Sequence, residues 1–229
     1  LTRKKIMSTT TKLSSEILDR FRALSTSTVS DALDKLGLVG AVEGLTPLDA
    51  DADIAGQAFT VAYLPAGHKG GTVGDFLDDL GPGDVIAIDN RGRTDCTVWG
   101  NIMTEVAKGR SIEGTVIDGV NRDLQESRAY DYPIWSRRGH MRTGKDRVTL
   151  QAVSVPICFG TVRVEPGDLI RADGNGVVVV ALDHVASVLA TAEAIEEKEN
   201  AILEEIRKGI PLGKARELHG YHALQTPDA

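Results

Sequence analysis

Residues 114–123 read Gly-Thr-Val-Ile-Asp-Gly-Val-Asn-Arg-Asp, an apolar run that breaks at Asp118-Gly119 and then presents a guanidinium beside a carboxylate. The run predicts a buried strand over 114–118, so Arg122 and Asp123 fall at a strand's C-terminal end, where open α/β sheets commonly place ligands. A cation and an anion side by side cannot easily point at the same atom, but they can serve one ligand differently. The carboxylate is a hard oxygen donor suited to Mg²⁺, and the planar guanidinium can clamp a carboxylate or a keto oxygen. On spacing alone the same pair also describes an ordinary solvated turn.

Other residue types weigh less. His68, His184, His219 and His222 have no metal-ligand spacing, and Cys96 and Cys158 form no Cys-x-x-Cys pair. Both cysteines stand in apolar segments, which predicts buried free thiols. Gly67-His-Lys-Gly-Gly-Thr72 lacks the phosphate-loop spacing and reads as a loop. Ser136-Arg137-Arg138-Gly139-His140 could receive a distal substrate carboxylate or simply be solvated. Asp89, Arg91, Arg93 and Asp95 could line the entrance to a site.

The elements that must position these groups follow from periodicity. Helical spacing predicts helices over 14–24, 27–36, 98–109 and 122–129. Strands are predicted over 56–63, 84–89, 132–136, 148–155, 157–164, 168–172 and 177–180. Pro82-Gly-Asp-Val-Ile-Ala-Ile-Asp89 is echoed by Pro166-Gly-Asp-Leu-Ile-Arg-Ala-Asp173, the same turn-plus-strand chemistry used twice. A strand-helix-strand-helix half followed by a strand-rich half argues for a layered α/β domain with a mixed sheet or barrel. The last helix, about 183–208, carries Val185, Val188, Ala192, Ile195, Glu199, Ile202 and Ile206 at alternating three- and four-residue steps. Glu199 sits on that apolar seam. Either the seam is partly exposed and Glu199 stays wet, or the helix packs across a subunit boundary and delivers a carboxylate to a site.

Composition bounds the rest. The 229 residues are 41% hydrophobic and 4% aromatic with 24 glycines, so the core must be aliphatic and rich in turns. Acids outnumber bases 33 to 26, giving a net charge of −7 with no electrostatic footprint for nucleic acid. No apolar run approaches the length of a membrane span, and the basic start 1–12 lacks a secretory apolar core, which predicts a cytoplasmic protein. Met7 is a candidate start. The expected organisation is an N-terminal extension over 1–13, one domain over 14–209 and a tail over 210–229, with Pro211, Gly213 and Pro227 marking an interface arm or a frayed end.

The string GTVIDGVNRD, preceded by Trp99-Gly-Asn-Ile-Met103 and followed by Val164-Glu-Pro-Gly-Asp through Val180, resembles the family of RraA (regulator of ribonuclease activity A) and the 4-hydroxy-4-methyl-2-oxoglutarate aldolases. Ser27-Thr-Val-Ser-Asp-Ala-Leu33 and Gly56-Gln-Ala-Phe-Thr-Val61 fit it too, and the resemblance covers roughly residues 20–206. It implies a layered α-β-β-α sandwich of the swivelling β/β/α type with a mixed central sheet or barrel and a long C-terminal helix. It also implies a homotrimer or hexamer with sites between subunits. By the motif match, Asp123 would hold Mg²⁺, Mn²⁺ or another divalent metal and Arg122 would contact pyruvyl oxygens. The amides of Ile102 and Met103, after Gly100, would bind the pyruvyl carboxylate. An acid from a neighbouring C-terminal helix, Glu199 or in reserve Glu196, would hydrogen-bond water at the metal. Asn101 departs from the aldolase pattern, which has Glu or Asp there. The implied activity is cleavage of 4-hydroxy-2-oxo acids to pyruvate, with oxaloacetate decarboxylation as a companion; the alternative is a non-catalytic regulator of an RNA-degrading endonuclease.

Overall fold

The computed structural model describes residues 11–68 and 70–221; Met7, Lys69, His222 and Pro227 lie outside them. Two helices open the chain, α1 (Ser15–Arg22) and α2 (Thr26–Lys35). Each begins where a serine hydroxyl satisfies an amide that the helix cannot, Ser14 Oγ accepting from Ile17 N and Ser25 Oγ from Thr28 N. The short strands β1 (Ala41–Val42) and β2 (Thr46–Pro47) precede the long β3 (Ile54–Pro65). Then come β4 (Asp84–Asp89), α3 (Asn101–Gly109), β5 (Gly114–Asn121), α4 (Leu124–Ala129) and β6 (Ile134–Gly139). The second half supplies β7 (Val148–Val153), β8 (Ile157–Phe159), β9 (Val162–Val164), β10 (Leu169–Asp173) and β11 (Gly176–Val180). Two helices close it, α5 (Val185–Arg207) and α6 (Leu212–Leu218).

Nine strands make one mixed sheet in the order β1-β11-β10-β3-β4-β5-β6-β2, with β7 added beside β3. The run β3-β4-β5-β6 is parallel and the other pairings are antiparallel. The sheet curls on itself: Trp135 Nε1 on β6 donates to Asp173 O at the end of β10 at 3.0 Å, although β3, β4 and β5 lie between them. The curl gives three cores. Val85, Ala87 and Val116 meet Ile170, Val177 and the β8–β9 hairpin on the inside. Outside, α1, α2 and α5 cover Leu169, Val178 and Val180, and a separate cluster around Ile86, Ile117 and Trp99 lies under α3.

The echoed Pro-Gly-Asp segments perform the same local task on either side of β3. Gly83 and Gly167 take φ of +80° and +94°, and Asp84 and Asp168 accept from Gly81 N and Glu165 N, three residues upstream. Both strands thus start from a turn whose orphan amide is satisfied by the strand's first carboxylate or the residue before it.

Several expectations need correction. Residues 157–164 are not one strand, because the chain reverses through Gly160 at φ +58° and pairs β8 with β9. The helix expected over 98–109 begins only at Asn101, since Gly100 is extended, with φ −158° and ψ −175°. Cys96 is buried as expected, but Cys158 is exposed, because β8 turns alternate residues outward. The α5 seam finds its partner within its own chain: Val185, Val188, Ala192 and Ile195 pack with Val29, Ala32 and Leu33 of α2. Only beyond Ile202 does it open, at Ile206. Within 210–229, residues 212–218 are helical and bury Ala215.

Candidate active site

β5 is buried along its whole length and delivers Arg122 directly beyond its last residue. Arg122 N donates to Trp99 O at 3.1 Å, which stitches the exit of β5 to the chain entering α3. Asp123 follows with φ +58° and ψ +47°, a left-handed conformation that costs a non-glycine residue on the order of 1–3 kcal/mol. That turn redirects its carboxylate. Asp123 precedes α4 but does not cap it with its side chain; Oδ2 instead accepts from Asn101 N at the start of α3, 3.1 Å away. The same oxygen lies 3.4 Å from Arg122 Nε.

Gly100 makes the approach possible. A Cβ there would sit 2.7 Å from Asp123 Oδ2 and 3.1 Å from Arg122 Nε, so any side chain would push the charged pair apart. A buried polar relay fixes the geometry beneath it: Trp99 Nε1 donates to Thr104 Oγ1 at 2.9 Å, and Thr104 Oγ1 reaches Gly100 O and Ser127 Oγ, both at 3.2 Å. α3, α4 and the connecting chain are therefore locked together.

Asn101 turns its side chain onto its own helix, Oδ1 accepting from Ile102 N at 2.9 Å. Met103 N has no acceptor among the described residues, leaving one donor at the positive end of α3. A cavity of about 230 Å³ opens in front, lined by Gly100, Asn101, Ile102, Met103 and Arg122. Its opposite wall comes from Val73–Asp75 and Thr143–Gly144.

Gly100, Asn101, Ile102, Met103, Arg122 and Asp123 are thus brought together. Glu199 and Glu196 are not: they stand on α5 against α2, where Thr28 Oγ1 donates to Glu196 Oε2 at 3.0 Å. Burial, then the charges of Asp31 and Glu196, hold the Glu199 carboxyl above the ordinary carboxylate range. Arg137 also turns away, with Nε 2.6 Å from Asp118 Oδ1, and Arg93 pairs with Asp95. Asp75, Thr143 and Gly144 escaped sequence reasoning; they lie in irregular segments without a motif, and only the glycines around 70–74 hinted at a constrained loop.

Among the described residues no group of three or more His, Cys, Asp or Glu side chains could hold a metal ion. Asp123 does offer Oδ1, to which no described donor hydrogen-bonds. One carboxylate with water and substrate oxygens filling the other positions suits Mg²⁺, which keeps several waters, and not the closed nitrogen and sulfur shell of structural zinc.

The family model for RraA-like proteins, described as Aldolase/RraA, matches residues 26–179. The chain belongs to the RraA-like family. The matched span contains Gly100–Met103, Arg122 and Asp123 but ends before Glu196 and Glu199. A Halalkalibacterium halodurans protein named "Putative 4-hydroxy-4-methyl-2-oxoglutarate aldolase" is 34% identical over 188 residues, 81% of this chain and 86% of its own. DlpA of Legionella pneumophila is 36% identical over 208 residues, 90% of this chain; the matched region is 34% of DlpA, so the RraA-like chain spans about a third of that protein. A crystal structure of a Pseudomonas syringae pv. tomato protein titled uncharacterized superposes with a TM-score of 0.84 at 40% identity, covering 90% of this chain and 99% of that one. Among the described residues, no helix is long and apolar enough to cross a membrane.

Proposed function

We propose that this RraA-like protein is a divalent-metal-dependent lyase that cleaves 4-hydroxy-2-oxo acids to pyruvate, with oxaloacetate decarboxylation as a companion reaction. The observation that supports it best is the Arg122–Asp123 pair, seated against Gly100 at the N-terminus of α3 and left unsaturated beside an open cavity. Bound at Asp123, Mg²⁺ or Mn²⁺ would supply Lewis-acid polarisation of the 2-oxo group.

The chain's own residues account for the remaining steps. Met103 N–H and the positive end of α3 receive the pyruvyl carboxylate. Arg122 donates to the 2-oxo oxygen, where negative charge grows as the C3–C4 bond breaks and the pyruvate enolate forms. Oxaloacetate loses CO₂ through the same enolate, so one constellation serves both reactions. Asn101 can hydrogen-bond but cannot take up the proton of the C4 hydroxyl. In this reading a water takes up that proton, hydrogen-bonded by Glu199, or by Glu196, of a second copy in a homotrimer or hexamer.

The test is pyruvate release from oxaloacetate and from 4-hydroxy-2-oxo acids, with and without Mg²⁺ or Mn²⁺. Metal-dependent release that Asp123→Ala abolishes is expected. No turnover of any of them with metal, or an Asp123→Ala protein as active as the parent, ends the lyase reading. The absence of an acid at Asn101 favours the second reading, a non-catalytic regulator of an RNA-degrading endonuclease, which would then stand. Mixing Asp123→Ala with Glu199→Ala chains tests the shared site, because hybrid oligomers regain activity only if the two residues come from different subunits.

A further inference from the structure

The amide that holds the Asp123 carboxylate belongs to a peptide plane that is itself held from behind. Asn101 N, which donates to Asp123 Oδ2 at 3.1 Å, and the Gly100 carbonyl are the two ends of one planar peptide group, so fixing the oxygen aims the N–H. Thr104 grips that oxygen twice. Its backbone N donates to Gly100 O at 3.1 Å as a helical bond of α3, and its Oγ1 donates to the same oxygen at 3.2 Å.

Proton counting fixes the direction of the remaining bonds. The Trp99 indole N–H can only donate, the Gly100 carbonyl can only accept, and the Thr104 hydroxyl carries one proton. That proton goes to Gly100 O, so in the 3.2 Å contact between Thr104 Oγ1 and Ser127 Oγ the serine is the donor. The threonine hydroxyl then has its donor and both its acceptor positions filled. The network also reaches the charged pair through the backbone, because Ser127 N donates to Asp123 O at 2.9 Å and Arg122 N to Trp99 O at 3.1 Å. Thr104, Ser127 and Trp99 are all buried within this chain, so the arrangement is complete without a neighbouring copy.

From this we infer that Thr104 is a positioning residue of the Arg122–Asp123 site. It touches neither metal nor substrate. Its hydroxyl holds the Gly100–Asn101 peptide, which keeps Asp123 Oδ2 on the Asn101 amide and leaves Oδ1 for the metal. Without the hydroxyl the peptide plane can rock and the carboxylate loses its fixed aim. The inference rests on the metal-binding role proposed for Asp123 and adds the group that sets its orientation.

Mn²⁺ binding to the full chain, measured by calorimetry, tests it without any turnover. Thr104→Val, which keeps the shape and removes the hydroxyl, is expected to bind about tenfold more weakly, and Thr104→Ser to stay within about twofold of the parent. In the metal-free protein, exchange of the Asn101 amide proton followed by NMR is expected to be about tenfold faster in Thr104→Val. Thr60→Val is the control, since it removes an equally buried hydroxyl bonded to Val155 O on another strand; it should change neither reading. Parent-like Mn²⁺ affinity in Thr104→Val, no recovery in Thr104→Ser, or an equal loss in Thr60→Val overturns the inference while the lyase reading survives. Should Thr104→Val not fold, Ser127→Ala decides: about threefold weaker Mn²⁺ binding supports the inference and parent affinity overturns it. The expected binding pattern without pyruvate release from any substrate ends the lyase reading and leaves the inference standing. A parent that binds no Mn²⁺ removes both.

Discussion

Arg171 and Arg122 each stand near an aspartate, and their surroundings could hardly differ more. Arg171 on β10 keeps 2% of its side chain exposed and donates to Leu24 O, Ile54 O, Ala172 O, Arg22 O and Asp53 Oδ2, with Asp173 3.9 Å away. Arg122 keeps 38% exposed and meets Asp123 through Nε alone. Burying a guanidinium is tolerable only when its donors are filled, so the protein fills Arg171's with four backbone carbonyls around α1, β3 and β10 and with the Asp53 carboxylate. Arg122 is held where water or a ligand can complete its shell. A saturated ion pair is a piece of scaffold, whereas an unsaturated one at a strand end is available for chemistry.

The comparison can be broken most severely at Arg171. Arg171→Ala takes the guanidinium donor from Asp53 and from the carbonyls of Arg22, Leu24, Ile54 and Ala172, and should cost about 3–5 kcal/mol in denaturant unfolding. A loss under about 1 kcal/mol would mean that the network is ornamental. Arg122→Ala should do the opposite, lowering kcat/KM for pyruvate release by roughly 10²–10³ while changing folding stability by less than about 1 kcal/mol. If Arg122→Ala unfolds the protein instead, the contrast between the two pairs fails.

A subtler change tests the approach of the open pair. Gly100→Ala places a methyl 2.7 Å from Asp123 Oδ2, so the carboxylate must move. Binding of Mn²⁺, followed by calorimetry, should weaken about tenfold. Unchanged affinity would show that the glycine serves only the turn.

The smallest expected effect is in the pH dependence of stability. Burial would raise the Asp173 carboxyl, but hydrogen bonds from Thr26 N, Thr26 Oγ1 and Asn175 N, with Arg171 nearby, hold it below the ordinary carboxylate range. A depressed folded-state pKa stabilises the fold above the unfolded value and loses that contribution as pH falls through the folded one. Thr26→Val should therefore lower stability at pH 7 and flatten its decline in acid below about pH 4. An acid limb as steep as the parent's would remove Asp173 as its source.

Much of this was legible locally. β4 runs over residues 84–89 as its apolar stretch and Gly-Pro-Gly turn required, and the echoed turn before β10 behaves alike. The exposed Cys158, the hairpin at Gly160 and the two-residue strands β1 and β2 were not legible. Alternation records which face a residue takes, but in a sheet curled around a core both faces are buried, as β10 and β11 show, and the pattern fades. Asp75 and Thr143 were invisible for another reason: irregular segments carry no period, and only chain packing brings them across from α3.

Sequence alone determined that a guanidinium and a carboxylate follow a buried strand together, because the apolar run over 114–117 and adjacency in the chain are local facts; that β5 runs on, buried, past Asp118-Gly119 to Asn121 was decided by packing. The tertiary structure decided where they point. A left-handed φ at Asp123 and the missing Cβ of Gly100 turn the carboxylate toward α3 instead of α4, and the fold places Glu199 on the far layer of the same chain. Periodicity fixes which side of an element a residue occupies, whereas aim and company depend on backbone torsions and on neighbours distant in sequence.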